Sequence, residues 1–298
     1  MAESKGCTDA KLSFVKILNV ARNEYVKWII NPRLILFFVL YIFIYDYVIY
    51  EFLVASERMG QNIMLLEPFI AMANSQLIIM VLPVVFMVLM SDFPKTDGNT
   101  MFYIQRAGKY NWMFGQALFG IMAAVSYIAA ILVISIVLVA RKAYMVNSWS
   151  KVVTEYVRTF PNEIGAKVPM LINGRMYNNM TPYKAFWVTI TLMLLYLMTV
   201  EMVMLISFST GKRMLGMILG YVIVAVGSSL CLVDTYAKWI FPSAHSIAWM
   251  HYDEVLKFSK FNIRWSYGYF LVVLIVMFII SMITVKRYDF AKVTDMED

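Results

Sequence analysis

The chain has 298 residues, of which 61% are apolar and only 15% are charged. No ordinary soluble domain of this length covers so much apolar surface, so the composition excludes a soluble globular protein and predicts a chain that is solvated mostly by lipid. The net charge of +7 invites a nucleic-acid partner, but the basic residues lie mainly beside apolar segments, where they set membrane topology. We therefore expect no nucleic-acid partner.

Residues 12 to 30 are predicted to form an amphipathic helix that lies in the membrane interface, because apolar and basic positions alternate with helical periodicity. The predicted apolar face consists of Phe14, Leu18, Ala21, Tyr25 and Ile29. Asn31-Pro32-Arg33 should end this helix, since proline removes a backbone donor and pushes the residue before it out of the helical region. The result would be an elbow at which the chain enters the membrane.

Six later segments are long and apolar enough to cross a hydrocarbon core of about 30 Å. They are residues 34 to 52, 69 to 90, 115 to 140, 185 to 208, 214 to 233 and 267 to 285. The sequence thus predicts an all-α integral membrane protein with six transmembrane helices after the N-terminal interfacial elbow helix. Residues 1 to 298 would form a single transmembrane domain.

The distribution of basic residues predicts the orientation of the chain. The N-terminal segment, the loop 91 to 114, the turn at Lys212-Arg213 and the tail from Lys286 hold 14 of the 26 Lys and Arg residues. Lys and Arg beside spans favour the cytoplasmic side. The chain is therefore expected in a cell membrane with both termini in the cytoplasm. The two long loops, 141 to 184 and 234 to 266, then lie outside.

The loop between the second and third spans is longer than a simple connection needs. Asn99 or Thr100 can cap a short helix there, and Gly108 can end it. Its side chains include Asp97, Phe102, Tyr103 and Arg106, a mixture that is typical of a docking surface.

With these features the chain resembles the type-2 exporter permeases of ATP-binding-cassette (ABC) transporters. In that family a coupling helix after the second span presses on the ATPase subunit, and its segment reads as an acidic residue, Gly and Thr, then hydrophobic residues and a basic residue. The corresponding residues here are Asp97, Gly98, Thr100, Met101, Phe102, Tyr103 and Arg106, with Asn99 inserted. The resemblance places the elbow helix at 12 to 30, the coupling helix at 97 to 106 and short outer helices at 236 to 258.

The resemblance implies an exporter of an amphipathic, lipid-like or peptide substrate, in a bacterial cell membrane. Its partners would be a cytoplasmic ABC ATPase subunit and a second copy of this permease or a related permease. The chain would carry no cofactor of its own, since ATP and Mg²⁺ bind to the ATPase. A phosphate-binding loop is indeed missing, because Gly211-Lys212 is preceded by Ile206 where that motif needs glycine and followed by Arg213 where it needs a hydroxyl.

Carboxyl groups inside spans are the other candidates for function, because a charge at the bilayer centre is costly and usually faces a cavity or a partner. Asp46 lies about 18 Å along a span that starts at Leu34, so it is too deep to reach the surface. Glu51 and Glu201 lie nearer the ends of their spans. These three residues are candidates for a translocation path, and the alternatives are a packing hydrogen bond for Asp46 and contact with lipid head groups for the other two.

Two other classes of function stay open. An ion-coupled secondary transporter would also use intramembrane carboxyl groups, although no internal repeat is evident. A membrane-embedded enzyme is disfavoured because the common protease and hydrolase motifs are absent, and a zinc site at His245 and His251 is disfavoured because their separation does not fit helical ligands.

Overall fold

A computed structural model describes residues 11–94, 104, 106–161, 171–253 and 259–287 of the chain. Helices dominate this part. Their bounds are α1 Phe14–Ile29, α2 Ile35–Ile44, α3 Tyr50–Met59, α4 Glu67–Ala73, α5 Ile78–Leu89, α6 Lys109–Val139, α7 Lys151–Thr159, α8 Gly174–Tyr177, α9 Pro182–Ser209, α10 Arg213–Val233, α11 Pro242–Ser246 and α12 Ile263–Arg287.

Five helical stretches of the described residues are long and apolar enough to cross a membrane, and a bent pair of helices brings the total to six if it counts as one span. We number them in chain order as spans 1 to 6. Span 1 is Pro32–Met59, span 2 is the bent pair α4 and α5, and spans 3 to 6 are α6, α9, α10 and α12. The chain is therefore an all-α protein with the helices of a multi-pass membrane protein.

Span 1 is longer than predicted and is irregular at its centre. A 3₁₀ turn at Pro32–Leu34 leads into α2, and a π-helical turn at Tyr45–Ile49 joins α2 to α3. The Asn31 side chain accepts a hydrogen bond from the backbone N–H of Arg33, which caps the start of the span. Asn31 and Pro32 thus end α1 and begin span 1, as the sequence predicts.

Span 2 is broken into two helices. α4 and α5 meet at an angle of 83°, and the break lies at residues 74 to 77 rather than at Pro83. Helix α5 continues through Pro83, which lies inside it. Side chains instead hold the break open, because Asn74 Nδ2 donates to the carbonyl of Ile70 and Trp249 Nε1 donates to the carbonyl of Asn74.

Helix α1 forms where predicted, but its predicted position flat in the membrane surface is not confirmed. The Ser13 N–H donates to Asn111 Oδ1, and the Tyr25 hydroxyl lies 2.6 Å from the Ser126 hydroxyl. Between these points Val20 packs so closely on Gly115 that a Cβ there would lie 2.6 Å from it. α1 therefore follows α6 lengthwise for about three turns.

Most of the apolar face predicted for α1 is turned away from the protein, where lipid can contact it. Phe14, Leu18 and Ile29 are exposed in the structure, whereas the buried residues are Val20, Ala21, Glu24 and Trp28. Two contacts fix the buried face: Val20 packs against Gly115 of α6, and Trp28 Nε1 donates to the carbonyl of Leu89.

The end of the bundle that holds the long loops is tied together by one carboxyl group. Strand β1 (Ile63–Met64) pairs in parallel with strand β2 (Ala143–Tyr144), just beyond spans 1 and 3. Glu67 Oε1 accepts from the Ser150 N–H at 2.7 Å, and Oε2 accepts from the Ser150 hydroxyl at 2.7 Å and the Met64 N–H at 3.0 Å. This cluster fixes the start of α4 against the start of α7.

The segment after span 5 folds back into the bundle. It forms 3₁₀ turns at Tyr236–Ile240 and Ala248–His251 on either side of α11, which begins at Pro242. The Ser243 hydroxyl of α11 lies 3.0 Å from the Tyr196 hydroxyl, about halfway along α9. α11 therefore reaches to about the middle of span 4.

Candidate functional site

One end of the bundle, which we call the basic end, gathers basic side chains from separate parts of the chain. They include Lys16, Arg22, Lys27, Arg33, Arg106, Lys109, Lys212 and Arg213. The described acidic residues at this end are Glu24 and Asp92, and Glu24 lies 3.4 Å from Lys27. The basic end is the end at which the loop between spans 2 and 3 begins and finishes.

Asp92 joins three spans at this end. Its carboxylate forms an ion pair with Arg33, at the start of span 1, and lies 3.6 Å from Arg213 Nη2, at the start of span 5. The same Nη2 donates to the carbonyl of Ser91 at 2.9 Å. Asp92 itself lies three residues beyond α5, so the loop that follows span 2 is tied to spans 1 and 5 where it leaves the membrane.

The other end of that loop is fixed to α1. Lys16 Nζ donates to the carbonyl of Arg106 at 2.9 Å, and Asn111 Nδ2 donates to the carbonyl of Lys11 at 3.1 Å. Together with the bond from the Ser13 N–H to Asn111 Oδ1, at 2.8 Å, these contacts hold α1 and the start of α6 as one unit.

An open concavity of about 640 Å³ lies between α1 and Arg106. Its polar lining residues are Lys16, Asn19, Arg22, Asn23, Lys27 and Arg106. The surface is strongly positive, so it would attract an acidic protein surface or anionic lipid head groups.

Most of the predicted coupling residues, namely Asp97, Thr100, Met101, Phe102 and Tyr103, lie outside the described residues. Arg106 is described, and it is helical and exposed beside the concavity. The sequence reasoning missed Asp92, because nothing in its turn-forming neighbourhood signals that two arginines from distant parts of the chain converge on it.

Asp46 is exposed on the π-helical turn of span 1, and the side chains of Tyr45 and Tyr50 on the same span are exposed as well. It is therefore not buried in the helix packing that was the alternative to a functional role. Glu51 is half-buried, one turn further along the same span. π-helical turns within α-helices are frequent at functional sites, and a carboxyl group on an outward face at mid-span needs water or a partner.

Glu201 lies apart from these two residues. Its side chain is only 2% exposed, and its carboxyl group rests on Gly120 of span 3, where an added Cβ would lie 1.6 Å from Oε1. It therefore does not reach the head groups, which was the alternative for this residue. Glu201 lines a groove between α1 and spans 3, 4 and 6, so the three candidate carboxyl groups do not form one site.

The break in span 2 lines a second concavity, of about 480 Å³. Asn74, Ser75 and Gln76 contribute from the break, Tyr47 from span 1 and Trp249 from the segment after span 5. Asn74 Nδ2 donates to Thr189 Oγ1 at 2.9 Å, and its Oδ1 accepts from the Ala248 N–H at 2.7 Å. The side chain of Asn74 at this break therefore joins spans 2 and 4 to the segment after span 5.

His245 and His251 converge although their spacing did not predict it. Both imidazoles are hydrogen-bonded to the Ser266 hydroxyl, His245 through Nδ1 at 2.8 Å and His251 through Nε2 at 2.7 Å. Burial lowers the pKa of each imidazole to about 4, so both are neutral at pH 7. Among residues 11–94, 104, 106–161, 171–253 and 259–287, no cluster of three His, Cys, Asp or Glu side chains could hold a metal ion.

Comparison with known proteins adds no family to this description: no family model, no curated protein and no solved structure matches the chain.

Proposed function

We propose that this chain is the membrane-spanning permease subunit of an ATP-driven ABC transporter. The observation that carries the proposal is Asp92, which connects the loop after span 2 to spans 1 and 5 through Arg33 and Arg213. Through these ties, a force that a partner applied to the loop would reach spans 1 and 5 as well as spans 2 and 3.

The partner would be a cytoplasmic ABC ATPase that docks on the basic end. α1 and Arg106 offer it a positive concavity, and residues 97 to 106 would press into its surface. Closure of the ATPase would move the loop, and the ties at Asp92 and Asn111 would pass that movement to spans 1, 2, 3 and 5. ATP and Mg²⁺ would stay on the partner, so the chain needs no cofactor and is not itself an enzyme.

The translocation path is proposed to run along span 1. Asp46 and Glu51 follow one another on this span, and Asp46 is exposed at a depth where lipid would not solvate it. A second copy of the chain or a related permease would cover this face and enclose the path. We propose export of an amphipathic, lipid-like or peptide substrate across a bacterial cell membrane, with both termini in the cytoplasm.

An ion-coupled secondary transporter is the second candidate. The broken span 2 favours it, because discontinuous helices often form the substrate and ion sites of such carriers. This alternative predicts transport driven by an ion gradient without ATP, whereas the permease needs the ATPase. A membrane-embedded enzyme would instead turn over its substrate as the purified chain alone.

The test replaces Asp92 by Asn in the complex with the ATPase that copurifies. The substitution removes the charge that Arg33 and Arg213 share, so we expect the complex to persist while its ATP hydrolysis falls by about tenfold, since a broken mechanical tie costs function more than affinity. Glu57→Gln is the matched control, because Glu57 forms an exposed ion pair with Lys142 at the opposite end of span 1. ATP hydrolysis by Asp92→Asn at the level of wild type and of the control would contradict the proposal.

A further inference from the structure

The groove beside Glu201, which we call the Glu201 groove, has a volume of about 520 Å³. α1 and spans 3, 4 and 6 form its walls, with Phe14, Phe114, Met198 and Phe278 among the apolar side chains. Glu201 is the one ionisable side chain among the described residues that line it. A volume of this size lies within the range of ordinary ligand sites, and its walls are suited to an alkyl chain.

The carboxyl group of Glu201 has no donor within the described part of the protein. The Glu201 side chain is only 2% exposed, and its Oε1 accepts no hydrogen bond from the described residues. Lys16, which lies on α1 between two residues of the groove, is directed instead to the carbonyl of Arg106. Gln116, one turn before Gly120 on span 3, is also buried, and neither of its amide atoms makes a hydrogen bond.

Gly120 makes the position of this carboxyl group possible. A Cβ at residue 120 would lie 1.6 Å from Glu201 Oε1 and 1.9 Å from Oε2, so any other residue would push the carboxyl group away. A buried acceptor in an apolar site costs several kcal/mol when it is unpaired, so a ligand that brings a donor to this carboxyl group would recover that cost.

We propose that the Glu201 groove binds a cationic amphiphile, with an ammonium group on the Glu201 carboxylate and an alkyl chain along the apolar walls. An ammonium group supplies both the missing donor and the opposite charge, and charge-assisted hydrogen bonds are the strong ones in an apolar site. The alkyl chain follows from walls that offer apolar side chains from four helices at the depth of the membrane.

The site is separate from the path proposed along span 1, because no residue of span 1 lines the Glu201 groove. It also does not depend on an ATPase, since every residue that forms it belongs to this chain. The inference therefore goes beyond the proposed function and can fail or succeed without it.

The test measures equilibrium binding of radiolabelled dodecylammonium to the purified full-length chain in lipid nanodiscs at pH 7, with dodecanol as a neutral competitor. We expect saturable binding at one site per chain, and dodecanol should compete at least about tenfold more weakly because it lacks the charge. Glu201→Gln should weaken dodecylammonium binding by at least about tenfold, and Gly120→Ala should weaken it in the same direction because the new Cβ displaces the carboxyl group.

Glu57→Gln is the matched control, since it removes an exposed carboxyl group at the far end of span 1, outside the groove and outside the proposed path. Binding that Glu201→Gln leaves unchanged would overturn the proposal. Equal competition by dodecanol on the wild-type chain would also overturn it, and that measurement needs no variant to fold.

Discussion

Replacing Asn74 by Ala should destabilise the protein, because this side chain makes three hydrogen bonds at the break in span 2. The side chain of Asn74 donates to the carbonyl of Ile70 at 2.8 Å and to the Thr189 hydroxyl at 2.9 Å. It accepts from the backbone N–H of Ala248 at 2.7 Å. Asn74 therefore joins the break in span 2 to span 4 and to the segment after span 5.

The magnitude follows from these three hydrogen bonds. Each contributes about 0.6 to 1 kcal/mol net, so their loss should lower the free energy of unfolding by about 2 to 3 kcal/mol. The buried N–H of Ala248 is then left without its acceptor, which adds to the loss. At roughly 2 to 4 °C per kcal/mol for a chain of this size, the melting temperature should fall by about 5 to 10 °C.

The assay can use the buried thiol of Cys231 as a reporter of unfolding. In a Cys7→Ser background, a thiol-reactive fluorescent maleimide should label Cys231 only as the protein melts. Thr189→Val removes one of the three bonds and should lower the melting temperature by about a third as much. Thr199→Val removes a bond within α9 only and is the control. The reasoning is refuted if Asn74→Ala has the same melting temperature as the Thr199→Val control.

Three further outcomes are expected. Glu67→Gln places an amide donor against N–H and O–H donors, so the free energy of unfolding should fall by about 2 kcal/mol and hydrogen exchange at the Ser150 N–H should become faster. Unchanged exchange at Ser150 would contradict the hydrogen bonds assigned to Glu67. Gly227→Ala puts a Cβ 2.5 Å from the Ser243 hydroxyl and should lower the melting temperature. Gly268→Ala, whose Cβ would have no neighbour within 4 Å, should leave it unchanged. The same melting temperature for both variants would contradict the packing of α11 against span 5. Because folding lowers the pKa of both imidazoles from 6.5 to about 4, stability should be full above pH 6.5 and fall as the pH drops toward 4, and a flat melting temperature over that range would show that they are not buried neutral.

Much of the fold could be predicted because the six apolar segments are set by local composition. Each predicted span overlaps a helix or helix pair of the structure, and the ends shift by a few residues because flanking polar residues continue the helices. The helix of α1 was also predictable from its periodicity. Its direction was not, because it depends on the closeness of Val20 to Gly115, almost 100 residues away.

The break in span 2 shows where local signals mislead. Pro83 is the strongest helix breaker in that segment, yet α5 passes through it. The break forms at Asn74 because Thr189, Ala248 and Trp249 supply its partners, and these lie 115 or more residues away. No pattern within span 2 could reveal them.

The candidate site was predicted only in part for the same reason. The three carboxyl groups were found because charge within apolar segments stands out, but their separate environments depend on which helices face them. Asp92 was missed because its partners, Arg33 and Arg213, are distant in sequence and reach it only in the folded chain.

The most direct test of the proposed function is to purify the tagged full-length chain from its native cells in mild detergent and to identify what remains bound. The account predicts a stoichiometric ABC ATPase and ATP hydrolysis by the complex. It also predicts that the ATPase is lost when residues 97 to 106 are replaced by a Gly-Ser segment of equal length in a chain that still inserts normally. A chain that purifies alone and hydrolyses no ATP, or a replaced chain that retains the ATPase, would contradict it.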